Sequence, residues 1–291
     1  MAALFGNVLQ FTWQQLVMEA IGGILIWLAI KKDMEPALLL PIGFGAMLVN
    51  LPMSGAVTQI IEGHAEEGVI DTLFNFGIAN ELFPLVLFIG IGAMIDFGPL
   101  LMNPKMFLFG AAAQFGIFFT FALASFVGFT PQDAASVAVI GAADGPTSIF
   151  VANYYNSKYI GAIVVAAYSY MALVPIVQPP VIRLITTRKE RLIRMPYHEK
   201  SVSQTTKILF PILITIIAGA VVPRSVSLVG FLMFGNLIRE CGVLNSLSKS
   251  AQNELANLIT IFLGITIAAR MQAKDFLTVD DPGPGAYRLH L

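Results

Sequence analysis

Apolar residues along the chain gather into separate blocks, most of them about 20 residues long, and a block of that length crosses a hydrocarbon core of roughly 30 Å as a helix. The pattern predicts nine segments, at residues 16–30, 36–51, 82–101, 106–129, 134–153, 160–184, 208–222, 225–238 and 255–269. The first two and the eighth are short. Ahead of them, Leu4, Phe5, Leu9, Phe11 and Trp13 alternate irregularly with polar positions, a pattern suited to an interfacial helix over residues 1–15 that feeds the first span. No basic n-region of a cleaved signal precedes the first block, so that block is expected to remain as a helix.

Lysine and arginine set the orientation of such segments. No basic residue lies between Lys32 and Lys105, whereas Glu62, Glu66, Glu67 and Asp71 crowd the loop between them, so that loop is expected outside and Lys31, Lys32 and Lys105 inside. Arg183, Arg188, Lys189, Arg191, Arg194, Lys200 and Lys207 supply seven of the 17 basic residues and place their loop inside as well. Three full crossings between Lys105 and Arg183 would put that loop outside. One of the three blocks must therefore enter and leave on the same side. Residues 134–153 are the candidate, because their centre reads Gly141-Ala142-Ala143-Asp144-Gly145-Pro146. Non-helical backbone at membrane depth survives only where protein or a wet cavity surrounds it. The prediction is a re-entrant broken segment entering from outside, within an all-α polytopic membrane protein of about eight transmembrane helices.

Composition agrees with this reading. Of 291 residues, 56% are apolar and 12% charged, against roughly 45–50% and about 25% in soluble domains, which excludes a water-soluble globule. A net charge of −1 leaves no basic field for nucleic acid. One cysteine, Cys241, excludes an internal disulfide framework and a cysteine-ligated metal cluster. P-loop, dinucleotide and paired-histidine zinc signatures are absent, and His64, His198 and His290 lack metal-ligand spacing.

The chemistry concentrates at the broken segment. A carboxylate at the hydrocarbon midplane costs about 2.5–3.5 kcal/mol on insertion scales, so Asp144 needs a partner or a task. Beside a broken helix it suits a hard cation such as Na⁺, or a transported proton. It also suits the N-cap of a half-helix starting at Gly145-Pro146, and one residue can serve both roles. Thr147 and Ser148 follow within the same turn and offer hydroxyl ligands, or bond back to their own backbone. Tyr168-Ser169-Tyr170 is the next polar cluster; its phenols suit either proton relay or the membrane interface. Pro175, Pro179 and Pro180 are expected to bend or end that helix. Asp96 reads as an interfacial turn residue and Gln114 as a buried amide between helices.

Three strings, Gly141-Ala-Ala-Asp-Gly-Pro-Thr-Ser-Ile-Phe150, Tyr168-Ser-Tyr-Met-Ala-Leu-Val-Pro-Ile-Val-Gln-Pro-Pro180 and Gly92-Ala-Met-Ile-Asp-Phe-Gly-Pro-Leu100, together with Ala111-Ala-Ala-Gln-Phe-Gly116, resemble the beta subunit of sodium-pumping, biotin-dependent decarboxylases. The resemblance runs to about Leu277. It implies the membrane subunit of a complex acting on oxaloacetate, methylmalonyl-CoA, glutaconyl-CoA or malonate, in a bacterial or archaeal inner membrane. A carboxyltransferase and biotin-carrier subunit would load the biotin, and a small membrane subunit would complete the complex. The family's essential Na⁺ and proton ligand falls on Asp144, with Gly145, Thr147 and Ser148 beside it, and its functional tyrosine on Tyr170. The family continues through further membrane helices and a second broken polar segment. Here residues 278–291 are instead a polar, proline- and glycine-rich tail. The expected organisation is a membrane domain over 1–277 and a non-homologous tail, as a C-terminally truncated relative holding part of an inverted-repeat fold.

The expected function is decarboxylation of carboxybiotin on a partner subunit, coupled to outward Na⁺ transport with proton consumption. Two other readings stay open: a secondary Na⁺/H⁺ or small-anion carrier without decarboxylase activity, and an inactive truncated assembly subunit, with self-association also open.

Overall fold

Without water to bond to, a backbone in lipid must satisfy its own N–H and C=O groups, and helices do so within one segment. The structure, a computed structural model, describes residues 11–32, 36–61, 64–142, 144–194 and 202–276, and it is built almost wholly of helices. In chain order the main ones are α1 (Trp13–Lys32), α2 (Pro36–Asn50), α3 (Val69–Gly77), α4 (Leu82–Met94), α5 (Phe107–Val127), α6 (Pro131–Ala138), α7 (Gly145–Tyr154), α8 (Ile160–Ile185), α9 (Gln204–Val221), α10 (Val226–Glu240) and α11 (Asn245–Arg270). A small antiparallel hairpin, β1 (Gln59–Ile61) with β2 (His64–Glu66), lies in the loop between α2 and α3, pairing Gln59 with Glu66. The predicted interfacial helix at the N-terminus and the polar tail fall largely or wholly outside the described residues.

Each predicted apolar block coincides with helix, and the segment expected to break does break. Among the described residues, four helices are long and apolar enough to cross a membrane unaided: α1, residues Pro104–Val127, α9 and α11. The pair α3 and α4, bent by 62°, would make a fifth. The remaining predicted crossings fall on the shorter α2, α4 and α10 and on the 26-residue α8. Of the two effects expected of its prolines, ending does not occur: α8 continues through Pro175, Pro179 and Pro180 to Ile185, next to the predicted limit at residue 184. Membrane helices tolerate proline because neighbouring groups re-satisfy the freed carbonyls.

Small residues set how the helices meet, as expected where lipid removes the hydrophobic drive between them. The α1–α2 pair crosses at Gly22 and Gly43, each of whose absent Cβ would lie 2.8 Å from the other's carbonyl oxygen. α4 and α10 pack closer still. A Cβ on Gly92 would sit 1.8 Å from the Leu232 oxygen, and one on Gly235 would sit 2.0 Å from the Ile89 oxygen. Beside this crossing the fully buried Asn236 donates to the Ile95 carbonyl at 2.9 Å. α11 lies against α2, where Gly45 meets Ala268, and against α4, where Phe83 stacks on Phe262 at 5.7 Å. The buried Asn50 closes the far end of this layer, donating to the Met271 carbonyl at 2.9 Å and accepting the Ala273 N–H at 2.7 Å.

Cross-helix contacts sort the loops into two ends. Lys207 pairs with Glu240 at 3.7 Å, Arg239 approaches Asp96 at 3.9 Å, and Arg239 donates to the Met94 carbonyl at 2.6 Å. The basic loop therefore closes at the end where α4 finishes, a few residues before Lys105. At the other end, Arg224 between α9 and α10 donates to the Tyr154 hydroxyl at 2.5 Å, and Asn153 donates to the Ala79 carbonyl at 3.0 Å.

Candidate functional site

The broken segment is built from two half-helices joined at Asp144. Thr130 caps α6, accepting the Asp133 N–H at 3.2 Å and donating its hydroxyl to the Asp133 carboxylate at 2.9 Å, with Pro131 in the first turn. The helix tightens into a 3₁₀ turn over Val139–Ala142. There Gly141 approaches Gly116 of α5 so closely that a Cβ would lie 3.3 Å from its carbonyl carbon. The chain then turns through Asp144 in an extended conformation, and α7 begins at Gly145 with Pro146 in its first turn. Proline suits this position because it lacks the N–H that a first turn leaves unpaired.

Asp144 is the N-cap of α7. Its carboxylate accepts the Thr147 hydroxyl at 2.6 Å and the Thr147 N–H at 3.5 Å, and its main-chain oxygen accepts the Ser148 hydroxyl at 3.0 Å. Ser148 is fully buried, Gly145 and Pro146 are buried, and Asp144 and Thr147 are half-buried. The four residues named from the sequence for the cation thus stand together in one turn. The cap reading and the ligand reading fall on the same carboxylate, and its second lone pairs stay available to a cation.

The flanks of the break return to one place. The Ser157 hydroxyl donates to Asp133 at 2.7 Å although the two lie 24 positions apart, a separation that a straight helix would stretch to about 36 Å. Phe129 and Tyr159 meet edge-on, 5.4 Å between centroids, just outside this bond. The ten-residue α7 reaches about 15 Å, half of a roughly 30 Å hydrocarbon core. The hairpin thus brings its two ends together and sets Asp144 one half-helix away from them.

Other expectations resolve differently. Tyr170 lies on α8, 26 positions beyond Asp144, but its side chain, like those of Tyr168 and Ser169, is outside the described part of the structure. Asp96 is a turn residue, accepting the Gly98 N–H at 2.8 Å. Gln114 is exposed rather than buried: α5 buries Ala124 alone among its residues, and the amide projects from the face away from the bundle. The sequence reading did not single out Asp133, Ser157 or Asn153. A Thr-Pro-Gln-Asp cap signature marked Asp133 as a helix start, but nothing in the chain announced its partner.

Comparison with known proteins matches residues 14–281 to the family described as the Na⁺-transporting oxaloacetate decarboxylase beta subunit. The methylmalonyl-CoA decarboxylase subunit beta of Propionigenium modestum is 47% identical over 283 residues, covering 91% of this chain and 71% of the relative. The glutaconyl-CoA decarboxylase subunit beta of Acidaminococcus fermentans is 46% identical, covering 92% and 69%. The probable oxaloacetate decarboxylase beta chain of Vibrio cholerae is 40% identical, covering 91% and 74%. A match over nearly the whole chain, on a glycine-packed bundle whose broken hairpin ends in a capped aspartate, establishes that the chain belongs to the family of Na⁺-transporting decarboxylase beta subunits.

Proposed function

We propose that this multi-pass protein binds Na⁺ at Asp144 and moves it outward as carboxybiotin, carried on a partner subunit, loses CO₂. The observation that carries the reading is the carboxylate at the tip of the hairpin, with the Thr147 hydroxyl 2.6 Å from it and the Ser148 hydroxyl in the same turn. An all-oxygen donor set suits a hard, weakly charged cation. Among the described residues, no group of three or more His, Cys, Asp or Glu could hold a different metal ion.

The residues divide the work as follows. Ionised Asp144 supplies the one full negative charge at mid-depth, and the N-terminus of α7 stabilises that charge through its free N–H groups. Thr147 and Ser148 add neutral oxygens, and Gly145 leaves the backbone accessible at the turn. A proton delivered to the site neutralises the carboxylate, weakens the cation's hold and biases release to the outer side. Tyr170, a phenol on the helix after the hairpin, is proposed to donate or relay that proton. The biotin carrier with its carboxyltransferase and a small membrane subunit are the proposed partners, in a bacterial or archaeal inner membrane. Which acyl substrate feeds the complex is set outside this chain.

Asp144→Asn tests the reading, because asparagine caps a helix as well as aspartate does and removes only the charge. In the assembled decarboxylase, Na⁺-dependent turnover should be lost with the variant, and Tyr170→Phe should slow turnover while leaving Na⁺ binding in place. Undiminished, Na⁺-stimulated CO₂ release from the Asp144→Asn complex would overturn the assignment.

A further inference from the structure

α7 carries the cation site at its inner end and is only ten residues long, too short to hold its own shape and depth. Something outside the half-helix must fix where Asp144 sits. The tie between Ser157 and Asp133 closes the mouth of the hairpin, and the fully buried Ile149 seats α7 in the core, but apolar packing is non-directional and sets depth less sharply than a hydrogen bond. Two neighbouring side chains at the outer end of α7 add polar contacts to other parts of the chain.

The first is Asn153. Its amide donates to the Ala79 carbonyl at 3.0 Å and lies beside the Glu81 carboxylate. Ala79 and Glu81 belong to the break between α3 and α4, where the chain bends by 62°. Glu81 stands in the left-handed region at φ 65°, a conformation that a non-glycine residue keeps only when its surroundings hold it there. Phe74 accepts the N–H of both Ile78 and Ala79, so the end of α3 is already tightly wound. Asn153 satisfies the carbonyl that this winding leaves over and stands against the strained residue. The second side chain, Tyr154, accepts a bond from Arg224, but it is exposed where Asn153 is half-buried, and its partner lies between α9 and α10, away from the strained bend.

We propose that Asn153 is a positioning residue for the cation site at Asp144, fixing the depth and tilt of the half-helix against the strained bend at Ala79–Glu81. The inference rests on the cation reading given under Proposed function. Asn153 touches no ion. It acts through the position of α7, in the way that outer residues orient metal ligands and change affinity when removed.

The test uses the full chain, purified in detergent, and reads the rise in melting temperature as NaCl replaces choline chloride. Na⁺ should stabilise the wild type, and Asp144→Asn should abolish the response. Asn153→Ala should raise the Na⁺ concentration at half-response by about ten-fold with the same maximal shift. Asn153→Asp, isosteric but unable to donate to the Ala79 carbonyl, should do no better, whereas Asn153→Gln, which keeps the donor, should recover part of the loss. Glu81→Gly supplies a variant that folds without strain and lacks the carboxylate; its half-response concentration should rise although its melting temperature without Na⁺ does not fall. Wild-type half-response in Asn153→Ala, Asn153→Asp and Glu81→Gly, with the response lost in Asp144→Asn, would overturn the positioning role and leave the cation reading standing. A wild type indifferent to Na⁺ would remove both.

Discussion

The hydroxyl of Ser157 lies 2.7 Å from the carboxylate of Asp133, joining the end of one half-helix to the start of the other. Because those residues flank the break, the chain before Pro131 and the chain after Tyr154 emerge at one end of the hairpin. The same side holds Arg224, bonded to Tyr154, while Lys207, Glu240, Arg239 and Asp96 meet at the other. Cysteines placed at Thr130 and Asn156 in a Cys241→Ser background should both react with an impermeant maleimide from outside the cell. Labelling of the two from opposite sides would mean a full crossing in place of the hairpin.

Asp144 has a cap role separable from its charge. Asp144→Asn should melt within about 0.5 kcal/mol of the wild type, whereas Asp144→Ala, which loses the bonds to Thr147, should lose about 0.5–2 kcal/mol. Unfolding in detergent with increasing denaturant measures the difference. Equal stability of all three proteins would show that the cap contributes nothing.

Gly92 and Gly235 face each other's helix backbones at distances no side chain can occupy. Ala at either position must push α4 and α10 apart, and an overpacked contact of this kind costs about 1–3 kcal/mol. The expected sign is loss of folded yield and a lower melting temperature for both variants, with Gly110→Ala, which meets no neighbour, as the unaffected control.

Glu240 is the least exposed member of its charge cluster, its side chain 11% accessible, and it stands between Lys207 at 3.7 Å and Arg239 at 3.5 Å. Removing it leaves two cations facing each other without the shared anion. Glu240→Gln should therefore cost more than Asp96→Asn, since Asp96 is about half exposed and exposed pairs contribute about 0–1 kcal/mol. Melting curves of the two variants compare them directly, and equal losses would contradict the ranking by burial.

The basic loop carries a pH-sensitive turn. Thr187 and Glu190 form a capping box at the start of Arg188–Arg191, and the Thr187 backbone N–H, then its hydroxyl, hold the Glu190 carboxyl below the ordinary carboxylate range. A lowered value means the box is fully formed above the ordinary carboxylate pKa and is lost as pH falls through the lowered one. An NMR titration of Glu190 should show that midpoint move back up in Thr187→Ala.

Much of the architecture was legible in the residues because two constraints act locally. Lipid forces each apolar block into a helix, and Asp-Gly-Pro forces a break, whatever the rest of the chain does. The counting of basic loops then required one block to turn back. The effect of prolines was harder to read, as α8 running on through three of them shows, because neighbouring helices decide whether a freed carbonyl is satisfied. Gln114 was misplaced for the same reason: an amide in an apolar block signals contact, but only packing says which face finds it.

What the sequence determined by itself was therefore the helical class, the break and the turn that gathers Gly145, Thr147 and Ser148 around Asp144, since a capped half-helix is set by residues within four positions of one another. What the tertiary structure decided was which distant residues hold that turn in place: Ser157 on Asp133, Asn153 on Ala79, Gly92 against Gly235. Those pairs depend on the distances and crossing of whole helices, and a one-dimensional pattern of polar and apolar positions carries no record of which helices will meet.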